Sequence, residues 1–210
     1  MARVPCARVA GGAVAALSLA LAALAPGAAR AEDDPGDAPY FEGLEAVDVQ
    51  APPCRIERPS DGWLFLNLEV LAQRARAAGQ DARGYEALKA RLWRGSARAN
   101  IYVRAQPDVA ARREPATSAE LGRATLARMQ EAWPGARVVQ QGAVRVGRRE
   151  GFVFELHATP PGAKEPVALV LATVFRPEDN QIFTLSLEVH PDRLEAVRKD
   201  FAKLLKKARI

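Results

Sequence analysis

Cysteine, histidine and aromatic side chains are scarce in this chain. The 210 residues hold two cysteines, two histidines, and only 6% Phe, Trp and Tyr. Two cysteines cannot build a disulfide framework. No Gly-rich phosphate loop, paired-cysteine metal motif or Gly-x-Ser-x-Gly elbow occurs, which leaves out the common nucleotide, zinc-finger and hydrolase signatures. Ser60-Asp61 plus a distant histidine does not make a hydrolase site, because these residue types are too common without geometry. Fifteen glycines and fifteen prolines are too few for a fibrous or low-complexity protein. Apolar content of 49% is too high for a wholly disordered one.

There is one long apolar run. Val9 to Ala25 carries no charge, follows Arg3 and Arg8, and is broken at Pro26-Gly27. Ala29-Arg30-Ala31 then offers small residues around a cleavage point before Glu32. Basic, apolar and small regions in that order read as a secretory signal peptide over residues 1–31. A retained anchor is the alternative, the run being near the lower bound for spanning a bilayer. Gly11, Gly12 and Pro26 favour cleavage, after which no membrane span is expected. The expected location is secreted or periplasmic.

Taking residues 1–31, with three arginines and no acid, from 30 bases and 25 acids leaves a net charge of +2. Cys54 becomes the lone thiol. Its flanks, Pro52-Pro53 and Arg55, suggest exposed extended chain, which leaves an intermolecular disulfide open. Residues 32–50 hold seven acids and no base, so 32–55 reads as an acidic, proline-containing flexible leader. The chain from residue 51 onward is correspondingly basic, at +9. The leader aids solubility or, in a sharper reading, folds back on the basic body and competes with an anionic partner.

Residues 56–210 read as one domain. Trp63–Leu68 is strand-like, Glu69–Ala78 helical and stopped by Gly79. Ala87–Arg94 and Arg98–Ala105 form a hairpin, though the first arm could also be a short helix. Thr117-x-x-Glu120 is a capping box opening a helix. Four strands follow, Arg137–Val146, Phe152–His157, Val167–Phe175 and Ile182–Val189. Both alternating sets of Val167–Phe175 are apolar, so that strand is central and covered on two sides. Pro191 starts a last helix with Leu194, Val197, Phe201, Leu204, Leu205 and Ala208 as its stripe. Short links between strands imply antiparallel pairing. The expected fold is an α/β/α sandwich with a central, largely antiparallel sheet and helices on both faces. Trp63, Trp93 and Trp133 are expected in the core.

Pro59-x-x-Gly62-Trp63-x-Phe65, Ala99-Asn100-Ile101-Tyr102-Val103, Val144-x-Val146-Gly147…Gly151-Phe152-x-Phe154 and the closing strand plus helix resemble the PsbP/Mog superfamily, in its secreted bacterial branch. The resemblance covers about residues 56–209. It implies the α/β/α fold and a non-enzymatic binding or assembly role, and it transfers no functional residue.

Two sets of side chains are candidates for a site. Arg145, Arg148 and Arg149 crowd one turn, and Lys199, Lys203, Lys206 and Lys207 line the polar side of the last helix. Such a basic face can meet a protein or an envelope surface of opposite charge, although lysines near a helix C-terminus are favourable in any case. Nucleic acid is not expected, since no aromatic residues interleave with the bases. The alternative function is a metal-binding protein or metal-dependent enzyme. Glu155-x-His157 and Glu188-x-His190 each place a carboxylate and an imidazole on one strand face. If the strands are neighbours, all four could converge on Zn²⁺. Otherwise His190 simply caps the last helix. No cofactor is expected.

Overall fold

The computed structural model describes residues 40–41, 43–109 and 116–210. The expected signal at 1–31 and the leader's first residues, 32–39, lie outside them. Ten strands and four α-helices follow in chain order: β1 (Tyr40–Phe41), β2 (Ala46–Gln50), β3 (Pro53–Glu57), β4 (Leu64–Leu66), α1 (Leu68–Ala77), α2 (Arg83–Glu86), β5 (Leu88–Arg94), β6 (Ala99–Pro107), α3 (Ser118–Ala132), β7 (Arg137–Val146), β8 (Arg149–Ala158), β9 (Val167–Arg176), β10 (Gln181–Val189) and α4 (Leu194–Lys207).

Local chemistry sets many of these boundaries. Asn67 accepts a hydrogen bond from Val70 N at 3.2 Å and so caps α1 at its start. The capping box forms as the sequence predicts: Glu120 N donates to Thr117 Oγ1 at 3.2 Å and Thr117 N donates back to Glu120 Oε2 at 2.8 Å. The first arm of the hairpin is a strand, β5. It turns into β6 through a single 3₁₀ turn closed by Arg98 at φ 47°.

Eight strands form one sheet in the order β1-β4-β5-β6-β10-β9-β8-β7, and every neighbouring pair is antiparallel. On one face Ala168, Val170, Ala172 and Val174 of β9 lie beside Phe183, Leu185, Leu187 and Val189 of β10. This face is covered by α4, whose Leu194, Val197, Phe201, Leu204 and Leu205 are all buried. Roughly 2 kcal/mol for each such side chain makes this helix worth about 10 kcal/mol of burial before ordering costs. The opposite face carries two covers. α3 packs Leu126, Met129 and Trp133 over Phe154, Leu156, Leu169 and Leu171, and α1 sets Leu71 against Leu66 and Trp93. All three tryptophans are in the core. The fold is thus the expected α/β/α sandwich.

The acidic leader needs correction. Residues 46–57 form the hairpin β2–β3, a separate two-stranded sheet, and β1 pairs with β4. Val47 and Val49 pack on the core, and Glu45 and Asp48 bind Arg58 and Arg55. Pro53 is tolerated because it is the first residue of its strand. Cys54 is correspondingly not exposed: alternation along β3 turns Cys54 and Ile56 inward, leaving the cysteine 7% accessible and free. That inward placement gives no support to an intermolecular disulfide.

Candidate functional site

The hairpin, the β7–β8 turn and the end of α4 enclose a groove of about 1390 Å³. Its frame is made by backbone. Gly147 sits at φ 57° in the β7–β8 turn, and its N–H donates to Leu205 O at 2.8 Å. A Cβ there would stand 2.1 Å from Ala208 O, so only glycine lets the turn rest against the helix end. On the other side Arg55 and Arg209 exchange both backbone hydrogen bonds, at 2.8 and 3.0 Å.

The groove is lined by Arg148, Arg149, Lys206 and Lys207 from the sequence candidates, and by Arg55, Arg176 and Arg209, which sequence reasoning missed. Their only signals were the alternation of β3, which turns Arg55 outward between two buried residues, and the basic end of β9. Asp48 and Glu57 are the acids on its wall. Arg55 Nη1 meets Asp48 at 2.6 Å, and Lys207 Nζ lies 3.4 Å from Glu57. Arg149 donates to Ile210 O at 2.7 Å and to Glu178 at 3.0 Å. Arg176 is clamped by Asp179 at 2.5 Å and donates to Pro53 O at 2.6 Å. These contacts hold the Glu178 and Asp179 carboxyls below their usual range, through the Arg149 and Arg176 hydrogen bonds respectively. Burial pushes the Cys54 thiol up, with Arg176 and Lys89 pulling against it. Arg148 and Lys206 have no side-chain ion pair or hydrogen bond among the described residues and are exposed. They are the charges most available to an incoming anion.

The other basic candidates do not join this groove. Lys199 and Lys203 are exposed on α4 but outside its lining, as is Arg145. Pairing explains the last case: Arg145 lies opposite Glu150 and Val146 opposite Arg149, so Arg145 and Arg149 leave opposite faces of the sheet.

The same rule separates the two Glu/His pairs. Glu155 lies opposite Val170, which lies opposite Leu187. Glu188 lies opposite Leu169, which lies opposite Leu156. The pairs are one residue out of step, and so they point to opposite faces. Their convergence on one metal, expected from spacing, does not occur. Among the described residues no three His, Cys, Asp or Glu side chains gather as a metal site. Glu155, 1% accessible, accepts from Arg198 at 2.7 Å, Gln140 at 2.9 Å and a ring nitrogen of His157 at 2.8 Å. Burial would raise its pKa, but Arg198, His157 and Gln140 together hold it below the ordinary carboxylate range. His190 Nδ1 accepts from Asp192 N at 3.3 Å and caps the turn before α4.

Glu188 belongs to a second polar cluster, inside the opposite face. Arg91 donates to Asn100 Oδ1 at 3.1 and 3.0 Å. The guanidiniums of Arg91 and Arg104 lie 5.2 and 5.1 Å from the ring of Tyr102. Burial raises the pKa of Glu188, while Arg104 and Arg91 oppose the rise. A cavity of about 460 Å³ opens beside Asn100, Tyr102 and Glu188, under the β8–β9 loop.

One antiparallel sheet between helical layers, with the hairpin laid beside the last helix, defines the class as an α/β/α sandwich. No family model matches the chain, and no curated protein matches it. Among solved structures it is similar to cyanobacterial PsbP (CyanoP) from Synechocystis sp. PCC 6803, at TM-score 0.51 and 12% identity over 84% of this chain and 99% of that one. It is also similar to the Saccharomyces cerevisiae Ran-binding protein Mog1p, at TM-score 0.52 and 10% identity over 83% of this chain and 96% of that one. The chain has the PsbP/Mog fold.

Proposed function

We propose that the chain is an exported, non-enzymatic binding or accessory module that docks an anionic partner, a protein or envelope surface, in the groove between β3, the β7–β8 turn and the end of α4. The observation that carries this reading is the meeting of seven cations from four separate segments in one groove, against two acids on its wall. Electrostatic attraction of this kind steers association and is weakened by salt. Mog1p, which has the same fold, is a Ran-binding protein, and that supports a binding role without naming a partner here. Among the described residues no helix is long and apolar enough to cross a membrane. Residues 1–31 then act as the export signal, and sequencing the exported chain is expected to find Glu32 at its start.

The test is capture from the envelope fraction of the host at low salt, with the parent chain and with Arg148→Glu/Lys206→Glu side by side. The parent is expected to retain a partner that the double variant releases. Equal recovery on both, or none on either, counts against the groove.

A further inference from the structure

The two edges of the eight-stranded sheet are unlike. β1 closes one edge with two residues, whereas β7 closes the other with ten. Among the described residues nothing pairs with the outer side of β7. Alternate residues of an antiparallel strand direct their N–H and C=O groups away from the neighbour. β7 therefore offers a row of unpaired donors and acceptors about 33 Å long, at ~3.3 Å per residue. Proteins ordinarily blunt such an edge with charge, proline or a bulge. Here Val138-Val139-Gln140-Gln141-Gly142-Ala143-Val144 contains neither charge nor proline. A bulge falls between Val138 and Gln140, and from Gln140 to Val146 the register with β8 is unbroken. Val139 is 46% accessible, and Gln140, Gln141 and Ala143 are exposed.

Charge stands only at the ends of this segment. Arg137 and Arg145 are exposed, and neither makes a side-chain ion pair or hydrogen bond among the described residues, although Arg145 lies opposite Glu150. Opposite charges facing each other across strands stabilise a pair and like charges destabilise it. The bulge puts Arg137, opposite His157, and Arg145, opposite Glu150, on opposite faces of the sheet, and β7 carries no carboxylate of its own, so pairing with a second copy would bring four arginines to one seam with no acid from either β7 strand. An extended segment with a carboxylate at each end, one on each face, would instead satisfy both arginines.

We propose that β7 is a strand-addition site for an extended peptide segment of a partner, uncharged through its middle and carrying a carboxylate opposite each of Arg137 and Arg145. Backbone hydrogen bonds hold the segment, and the terminal charges select its ends. This surface is separate from the groove, so either reading can fail alone.

The probe is a capped octapeptide, Glu-Thr-Val-Thr-Val-Thr-Val-Glu, whose two glutamates fall on opposite faces as Arg137 and Arg145 do, titrated into the exported chain with amide hydrogen exchange followed. Slowed exchange at Gln140–Val146 is expected. Arg137→Glu/Arg145→Glu should weaken binding roughly tenfold and favour the Lys-ended peptide, a change of the size two cross-strand charge pairs supply. Arg137→Gln/Arg145→Gln is the milder companion, expected to weaken the Glu-ended peptide without gaining the Lys-ended one. Methylating alternate peptide nitrogens should abolish binding, while Arg148→Glu/Lys206→Glu should leave it unchanged. The proposal is overturned by absence of binding or by equal binding of the methylated peptide. Protection in the groove instead of β7 also overturns it, as does a peptide-free dimer protected along β7.

Discussion

Two arginine clusters on this chain use the same side chain in opposite ways. In the groove Arg55 and Arg149 reach to surface carboxylates and a backbone carbonyl, while Arg148 is left in solvent. Within the opposite face Arg91 is 4% accessible, with its nitrogens on Asn100 and its guanidinium carbon 5.2 Å from the Tyr102 ring centre. Exposed pairs of the first kind contribute about 0–1 kcal/mol each because water competes for both partners. A buried guanidinium has no such competition, and its removal leaves partners unsatisfied. The inner cluster therefore acts on folding, and the outer one is free to act on a partner.

The same truncation in the two places is the sharpest contrast. Arg91→Ala is expected to cost about 3 kcal/mol, from the stranded Asn100, the lost contact with Tyr102 and the void, read as a lower urea midpoint. Gly147→Ala comes next, at about 2 kcal/mol, because it places a side chain at positive φ against the helix end. It should loosen the groove as well, so partner retention falls along with thermal stability.

A third test uses pH. Burial raises the folded-state pKa of Glu188 above its ordinary 4.5, so the folded chain holds this proton more tightly than the unfolded one. Its contribution to stability is fully present below about 4.5 and is lost as pH rises through the folded value. Glu188→Gln should therefore gain relative to the parent on going from acid to neutral pH, read in chemical melts at several pH values. Glu155 has the reverse sign: its lowered pKa contributes stability above the ordinary carboxylate value that disappears as pH falls through the folded one. Arg148→Ala is the smallest effect, within about 0.5 kcal/mol in stability. A large loss there would end the distinction between the clusters.

Much of the fold is legible along the chain itself. The capping box at Thr117 and Glu120, the doubly apolar β9, the alternation of β10 and the stripe of α4 each depend on a period read along one segment. Register does not. Glu155 and Glu188 each share a face with a neighbouring histidine, as their spacing requires. Whether the two faces coincide depends on how β8, β9 and β10 slide past one another, and one residue decides it. The groove is half legible for the same reason: Arg148, Arg149, Lys206 and Lys207 stand out as runs, while Arg55, Arg176 and Arg209 become neighbours only through tertiary packing. The acidic stretch misleads because composition reports the mean of a segment. Val47, Val49, Cys54 and Ile56, set among acids and prolines, suffice to seat a hairpin on the core.

The backbone exchange between Arg55 and Arg209 joins points far apart along the chain into one closing contact. Neither amide can be exposed without separating the hairpin from the segment that follows α4, so the two should open as one cooperative unit, with matched rates of hydrogen exchange. A ligand in the groove would then act as a latch on that unit. It would slow both amides together and leave those of β6 and β10, in the middle of the sheet, at the rate of global unfolding.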